Sequence, residues 1–81
     1  MRHPINLSDE SRDTVRRLSP EALKALAELF DEIALDPWLG SPYREPDSDL
    51  LTAVTGDGSV LVVWLPLEQP TRIEVLRVLA L

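Results

Sequence analysis

The sequence has no cysteine, one histidine, one lysine and only four aromatic residues among its 81 positions. Each scarcity removes a class of protein. Without thiols there is neither a disulfide nor a thiolate metal site. The lone histidine, His3, lies near the N-terminus, so a histidine-based metal centre within one chain is not expected. No apolar run reaches the ~18 residues that a membrane-crossing helix needs. The opening stretch, Met1 to Glu10, lacks the apolar segment of a signal peptide. Glycine-rich phosphate loops and serine–histidine arrangements are missing too. The expectation is therefore a cytoplasmic protein with no metal, no cofactor and no membrane association. A chain this short buries only a little over ~60% of its unfolded surface. Its stability must come from one apolar core, with help from a second copy or a partner.

Apolar residues make up 44% of the chain, which suits a globular domain. Fourteen acidic side chains against eight basic ones give a formal charge of −6. That excess repels phosphate backbones at long range. It weighs against nucleic acid or the ribosome as a partner unless arginines gather locally.

The order of patterns predicts a small α+β fold in a single domain over residues 1–81, with residues 1–4 loose. Pro4-Ile5-Asn6-Leu7 alternates and reads as a short edge strand or a frayed tail. Ser8 offers a helix N-cap, followed by Asp9 and Glu10 at the positive end of the helix dipole. The helix it opens is short and charged, with a thin stripe of Val15 and Leu18 backed by Ser11. Ser19-Pro20-Glu21 is a second and clearer start signal. Leu23, Leu26, Phe30 and Ile33 then recur at helical spacing, and Ala22, Ala25 and Leu29 widen the stripe. Asp36-Pro37 ends that helix. A polar loop runs from Trp38 to Asp49, long for so small a domain.

Three strand-like runs follow: 50–55, 59–65 and 71–79. Gly56-Asp57-Gly58 separates the first two as a hairpin signal, and a proline-bounded turn over 66–70 separates the last two. In the middle run Val60, Val62 and Trp64 alternate with Leu61, Val63 and Leu65. Both sides are apolar, which predicts a central strand covered on both faces. In the last run strict alternation puts Ile73, Val75, Arg77 and Leu79 on one face. It puts Arg72, Glu74, Leu76 and Val78 on the other.

In this order the chain resembles the RelE/ParE superfamily of small toxins from bacterial toxin–antitoxin pairs. The similar stretches are Pro20-Glu21-Ala22, Asp36-Pro37, Gly56-Asp57, Val62-Val63-Trp64 and Ile73-Glu74-Val75-Leu76-Arg77-Val78. The resemblance spans roughly residues 5 to 81. It implies two N-terminal helices packed on a three- to four-stranded antiparallel meander, an antitoxin-like protein partner, and ribosome-dependent cleavage of messenger RNA. The text departs from the family at the chemistry. Gly58 and Ser59 follow Asp57 where the family often has a tyrosine and an arginine. Nor does a basic or aromatic tail follow Leu79. A weak or inactive endoribonuclease that still binds a partner is one expectation. A non-catalytic interaction module on the same fold is the other, and a homodimer through an exposed edge strand suits both.

RNA cleavage through 2′-oxygen attack needs a proton acceptor, a proton donor and cations around the phosphorane. Tyr43, Arg72 and Arg77 are the candidate catalytic residues, with Glu74 and Asp57 as further proton carriers. Arg44, Trp38 and Glu74 are the candidate binding residues. Each has an alternative. Arg72 and Glu74 lie two apart on one strand and read equally as a solvated ion pair. Arg77 is either a groove anchor or a snorkelling residue at the core edge. Tyr43 and Arg44 either clamp an anion or hold the loop. Arg12, Arg16 and Arg17 either meet phosphate or pair with Asp9 and Asp13 one turn earlier. Phe30 and Trp64 are core residues, whereas Trp38 is placed to anchor an interface.

Overall fold

A computed structural model describes residues 2–43, 49–68 and 71–81. Its elements are β1 (Ile5–Leu7), α1 (Asp9–Arg16), α2 (Pro20–Leu35), β2 (Ser41–Pro42), β3 (Leu51–Val54), β4 (Val60–Glu68) and β5 (Thr71–Ala80). The strands form one sheet in the order β1-β5-β4-β3-β2. β2 to β5 are antiparallel neighbours, while β1 lies parallel to β5, with Ile5, Asn6 and Leu7 facing Ile73, Glu74 and Val75. The α+β class and the paired helices agree with the sequence. The sheet differs in having five strands and in being mixed. Ile5–Leu7 is a strand and not a tail, and the loop after α2 contributes two residues to the sheet as β2.

Both helices begin where the caps predict. The Ser8 hydroxyl accepts the Ser11 N–H at 3.1 Å, and the Ser19 hydroxyl accepts the Ala22 N–H at 3.2 Å. α2 stops at Asp36, whose carboxylate accepts the Trp38 N–H at 3.2 Å and so holds the turn at Pro37. The buried line of α2 is Ala22, Leu26, Leu29 and Ile33, at spacings of four, three and four. That line is rotated from the expected stripe, leaving Phe30 half-buried and Leu23 exposed.

This face meets Val60, Val62 and Trp64 of β4 and Ile73, Val75 and Val78 of β5 in one core cluster. Val15 of α1 and Leu18 just beyond it pack against its margin. Ser11 is fully buried, and its hydroxyl reaches the Val75 carbonyl. Trp64 has no exposed surface, and its indole N–H donates to the Pro37 carbonyl at 2.8 Å. That bond fixes the end of α2 to the central strand. Gly40 sits beside it with φ 94°, and a Cβ there would lie 2.7 Å from the Thr52 carbonyl oxygen and 2.8 Å from the Trp64 ring. Glycine is required at this position by both conformation and space.

Candidate functional site

A bulge in β5 decides which side chains share the open face of the sheet. Val63 pairs with Arg77 and Trp64 pairs with Val75, so Leu76 is the extra residue. Alternation restarts after it. Arg77 and Leu79 therefore lie beside Val63 and Leu61, on the face away from the helices, and Val78 turns into the core. The face assignment made from strict alternation is reversed for residues 77 to 79. Sequence periodicity cannot register a bulge that keeps the strand's apolar character.

The open face can be read in rows across the strands. One row holds Leu79, Leu61 and Val54; the next holds Arg77, Val63 and Thr52. A third carries Asn6, Glu74 and Leu65, and a fourth carries Arg72 and Leu67. The expected cover on both faces of β4 is thus only half present. Helices lie on one side, and on the other Leu61, Leu65 and Leu67 are half-buried with no helix above them among the described residues.

Arg72 and Glu74 do meet. Their Nε and Oε1 atoms are 2.7 Å apart, and the Asn6 amide donates to the same oxygen at 3.3 Å. The Nε–H does not point along the line to that oxygen, so the contact is an ion pair without an aligned hydrogen bond. Both side chains keep contact with solvent, which limits the pair to roughly 0.2–1 kcal/mol. Arg77 is exposed on the same face, one row from Glu74 and two from Arg72. The bulge therefore puts Arg72, Glu74 and Arg77 on one face of β5. Tyr43 does not join them. It follows β2, where its N–H donates to the Leu50 carbonyl at 2.8 Å. Three strand spacings, ~14 Å, separate that edge from β5. Arg44 lies outside the described residues.

Trp38 joins Arg72 from the other side. With His3, Pro37, Pro66, Leu67 and Glu68 they line a cleft of about 110 Å³ where the turn after α2 meets the far ends of β4 and β5. The indole is 58% exposed, as an interface anchor would be. His3 is held there by its backbone N–H, which donates to the Ala34 carbonyl at 2.8 Å. Nothing in its sequence neighbourhood marks a contact to a residue 31 positions on.

Asp57 belongs to a different place, the β3–β4 turn. Its carboxylate oxygen accepts the Ser59 hydroxyl at 2.7 Å, the Thr55 hydroxyl at 2.7 Å and the Ser59 N–H at 3.0 Å. These donors, Ser59 first, hold its pKa below the ordinary carboxylate value. A carboxylate so held is a poor proton carrier at neutral pH, and its role is to close the turn. On α1, Arg16 lies 3.8 Å from Asp13, both well exposed, which is the internal helix pairing expected of that cluster.

The whole architecture recurs in solved structures. A chain of the RelBE2 toxin–antitoxin complex from Mycobacterium tuberculosis superposes with a TM-score of 0.83 at 20% identity, covering 100% of both chains. A chain of the intact Escherichia coli RelBE complex gives 0.83 at 11% identity, over 98% of this chain and 96% of that one. The archaeal RelE–RelB complex from Pyrococcus horikoshii gives 0.74 at 14% identity, over 99% and 96%. No protein-family profile and no curated protein sequence matches the chain. The chain has the RelE toxin fold.

Proposed function

We propose that this chain is a diverged member of the RelE superfamily, a cytoplasmic toxin-type protein that binds an antitoxin-like partner. The observation that carries the reading is the end-to-end correspondence with a chain of a toxin–antitoxin complex, at a TM-score of 0.83 over 100% of both chains. The motif order along the sequence supports it independently. Ribosome-dependent messenger-RNA cleavage is assigned here as weak or lost. Tyr43, Arg72 and Arg77 are the residues that would carry it. Cleavage needs cations converging on one phosphate. Here Arg72 is shared with Glu74, and Tyr43 stands at the opposite edge of the sheet.

A second reading, a non-catalytic interaction module on the same fold, is favoured by the open face itself. Leucines outnumber cations on it, and the chain carries a net charge of −6. Apolar surface with few charges suits a protein partner better than a polyanion.

Induced expression in a bacterial host, with radiolabelled amino-acid incorporation as readout, separates the two. A Tyr43→Ala/Arg72→Ala/Arg77→Ala variant runs beside the parent at matched soluble level. Arrest by the parent and not by the variant supports a toxin that retains catalysis. Unchanged incorporation with both removes catalysis and leaves partner binding as the function to assay.

A further inference from the structure

Leu35 and Trp38 are 60% and 58% exposed on either side of the point where α2 ends. Neither belongs to the core cluster. The indole stands at a cleft of about 110 Å³ whose apolar walls are Pro37, Pro66 and Leu67. That is well below the ~300 Å³ at which small-molecule pockets begin, and takes one side chain. The backbone beneath Trp38 is fixed twice. The Asp36 carboxylate accepts the Trp38 N–H at 3.2 Å, and the Pro37 carbonyl accepts the Trp64 indole N–H at 2.8 Å. A large flat ring is thus held on a firm turn with its surface open to solvent.

The charges around this cleft are mostly of one sign. Cations are favoured in the last turn of a helix, where carbonyls point outward. α2 has none there. Instead Glu32 lies in that turn and Asp36 caps it, four residues apart and both exposed. Like charges at that spacing repel. Arg2 offsets Asp31 at 2.6 Å, but neither Glu32 nor Asp36 forms an ion pair among the described residues. Glu68 lines the cleft from the end of β4, and His3 adds an imidazole. Arg72, the one guanidinium of the lining, is already matched with Glu74 at 2.7 Å.

We propose that the Trp38 cleft receives an arginine side chain from a basic protein partner, its guanidinium stacked on the indole and its N–H groups turned to the carboxylates of Glu68 and Asp36. A planar guanidinium suits a flat indole face and neighbouring carboxylates better than a point-like ammonium does. The net charge of −6 draws a basic partner in at long range. An acidic segment or a phosphate approaches against that field. Leu35 supplies apolar area for the residues beside the arginine. The inference names the chemistry of the partner and rests on the reading that the chain binds a protein.

The chain has two tryptophans, and their indole N–H signals separate the cleft from the core. Trp64 donates internally, whereas Trp38 lies open. The probe is a short capped peptide of alternating leucine and arginine, titrated to millimolar concentration and followed by NMR. Two further peptides replace arginine by citrulline, its neutral isostere, and by glutamate. The arginine peptide is expected to move the Trp38 signal saturably, with an affinity several-fold above the citrulline peptide. Glu68→Gln should bring the two peptides to the same affinity, and Trp38→Leu, followed at the Leu67 amide, should weaken the arginine peptide several-fold. Equal affinity of the parent chain for arginine and citrulline peptides overturns the proposal, as does a Trp38 signal that never moves. Tighter binding of the glutamate peptide overturns it in favour of Arg72 as the docking charge. A Trp38 signal that shifts with chain concentration alone gives the cleft to a second copy. Amino-acid incorporation judges the toxin-type reading without reference to this cleft, so a failed titration removes the cleft assignment and leaves that reading standing.

Discussion

Gly40 is small in the sequence and constrained in the fold. Its φ of 94° lies in the region that side chains avoid, and a Cβ would press on both the Thr52 carbonyl and the Trp64 ring. Neither can retreat, because one belongs to β3 and the other is a fully buried side chain bonded to Pro37. Gly40→Ala is expected to cost about 2 kcal/mol or more through backbone strain alone. In a domain of this size that lowers the thermal midpoint by roughly 10 °C. A midpoint unchanged on differential scanning calorimetry would contradict the assignment. Asp57 makes a pH-dependent counterpart. Its folded-state pKa is depressed, so its contribution is complete above the ordinary aspartate pKa and fades as pH falls through the depressed value. Asp57→Asn should be less stable than the parent at neutral pH, with a difference that shrinks in acid. Urea titrations at both pH values measure it, and a difference independent of pH would assign the turn's stability to other bonds.

At the scale of elements, the bulge in β5 is the feature with most leverage. It sends Arg77 to the open face and Val78, only 3% exposed, to the core. Val78→Asp should therefore be severe, about 3 kcal/mol or more for an unpaired buried charge. Arg77→Asp should stay within about 1 kcal/mol, as surface exchanges do. Strict alternation predicts the opposite order, so equilibrium unfolding of the two variants tests the bulge directly. The helices were legible because their signals are local. Ser8, Ser19, Pro20 and Asp36-Pro37 act on neighbours a turn away, and the hairpin glycines act within the turn itself. The site was legible only in part. Arg72, Glu74 and Trp38 stand where pattern reading put them, on a strand face and in an exposed turn. Arg77 was placed on the wrong face, since its side depends on one extra residue whose sole signature is a register to β4. The parallel partnership of β1 depends on β5, far along the chain, and no residue near Ile5 announces it.

At the scale of the whole molecule, the helices cover one side of the sheet, and the other side holds leucines among a few charges. Fold and surface point in different directions. The backbone plan matches chains of bacterial RelBE and archaeal RelE–RelB complexes, while the chain's net charge of −6 is unfavourable to a polyanion. One backbone can carry different surfaces at little cost. The core cluster uses the helix-facing positions of β4 and β5, and the open-face positions can change without disturbing it. The same separation explains why this backbone can be kept at 11–20% identity.

The placement of β5 between β1 and β4 also constrains how the chain can be made. Asn6 and Glu74 are joined across the sheet but stand 68 positions apart. While a ribosome is still synthesising the middle of the chain, β1 has nothing to pair with, and α2 has only part of the sheet to pack on. The emergence of β5 completes both the core and the first strand's pairing. Folding is thereby postponed until β5 has been made, and a product that stops before it has no partial fold in which the open face is assembled. A protein built this way presents its open face only once it has been translated through β5.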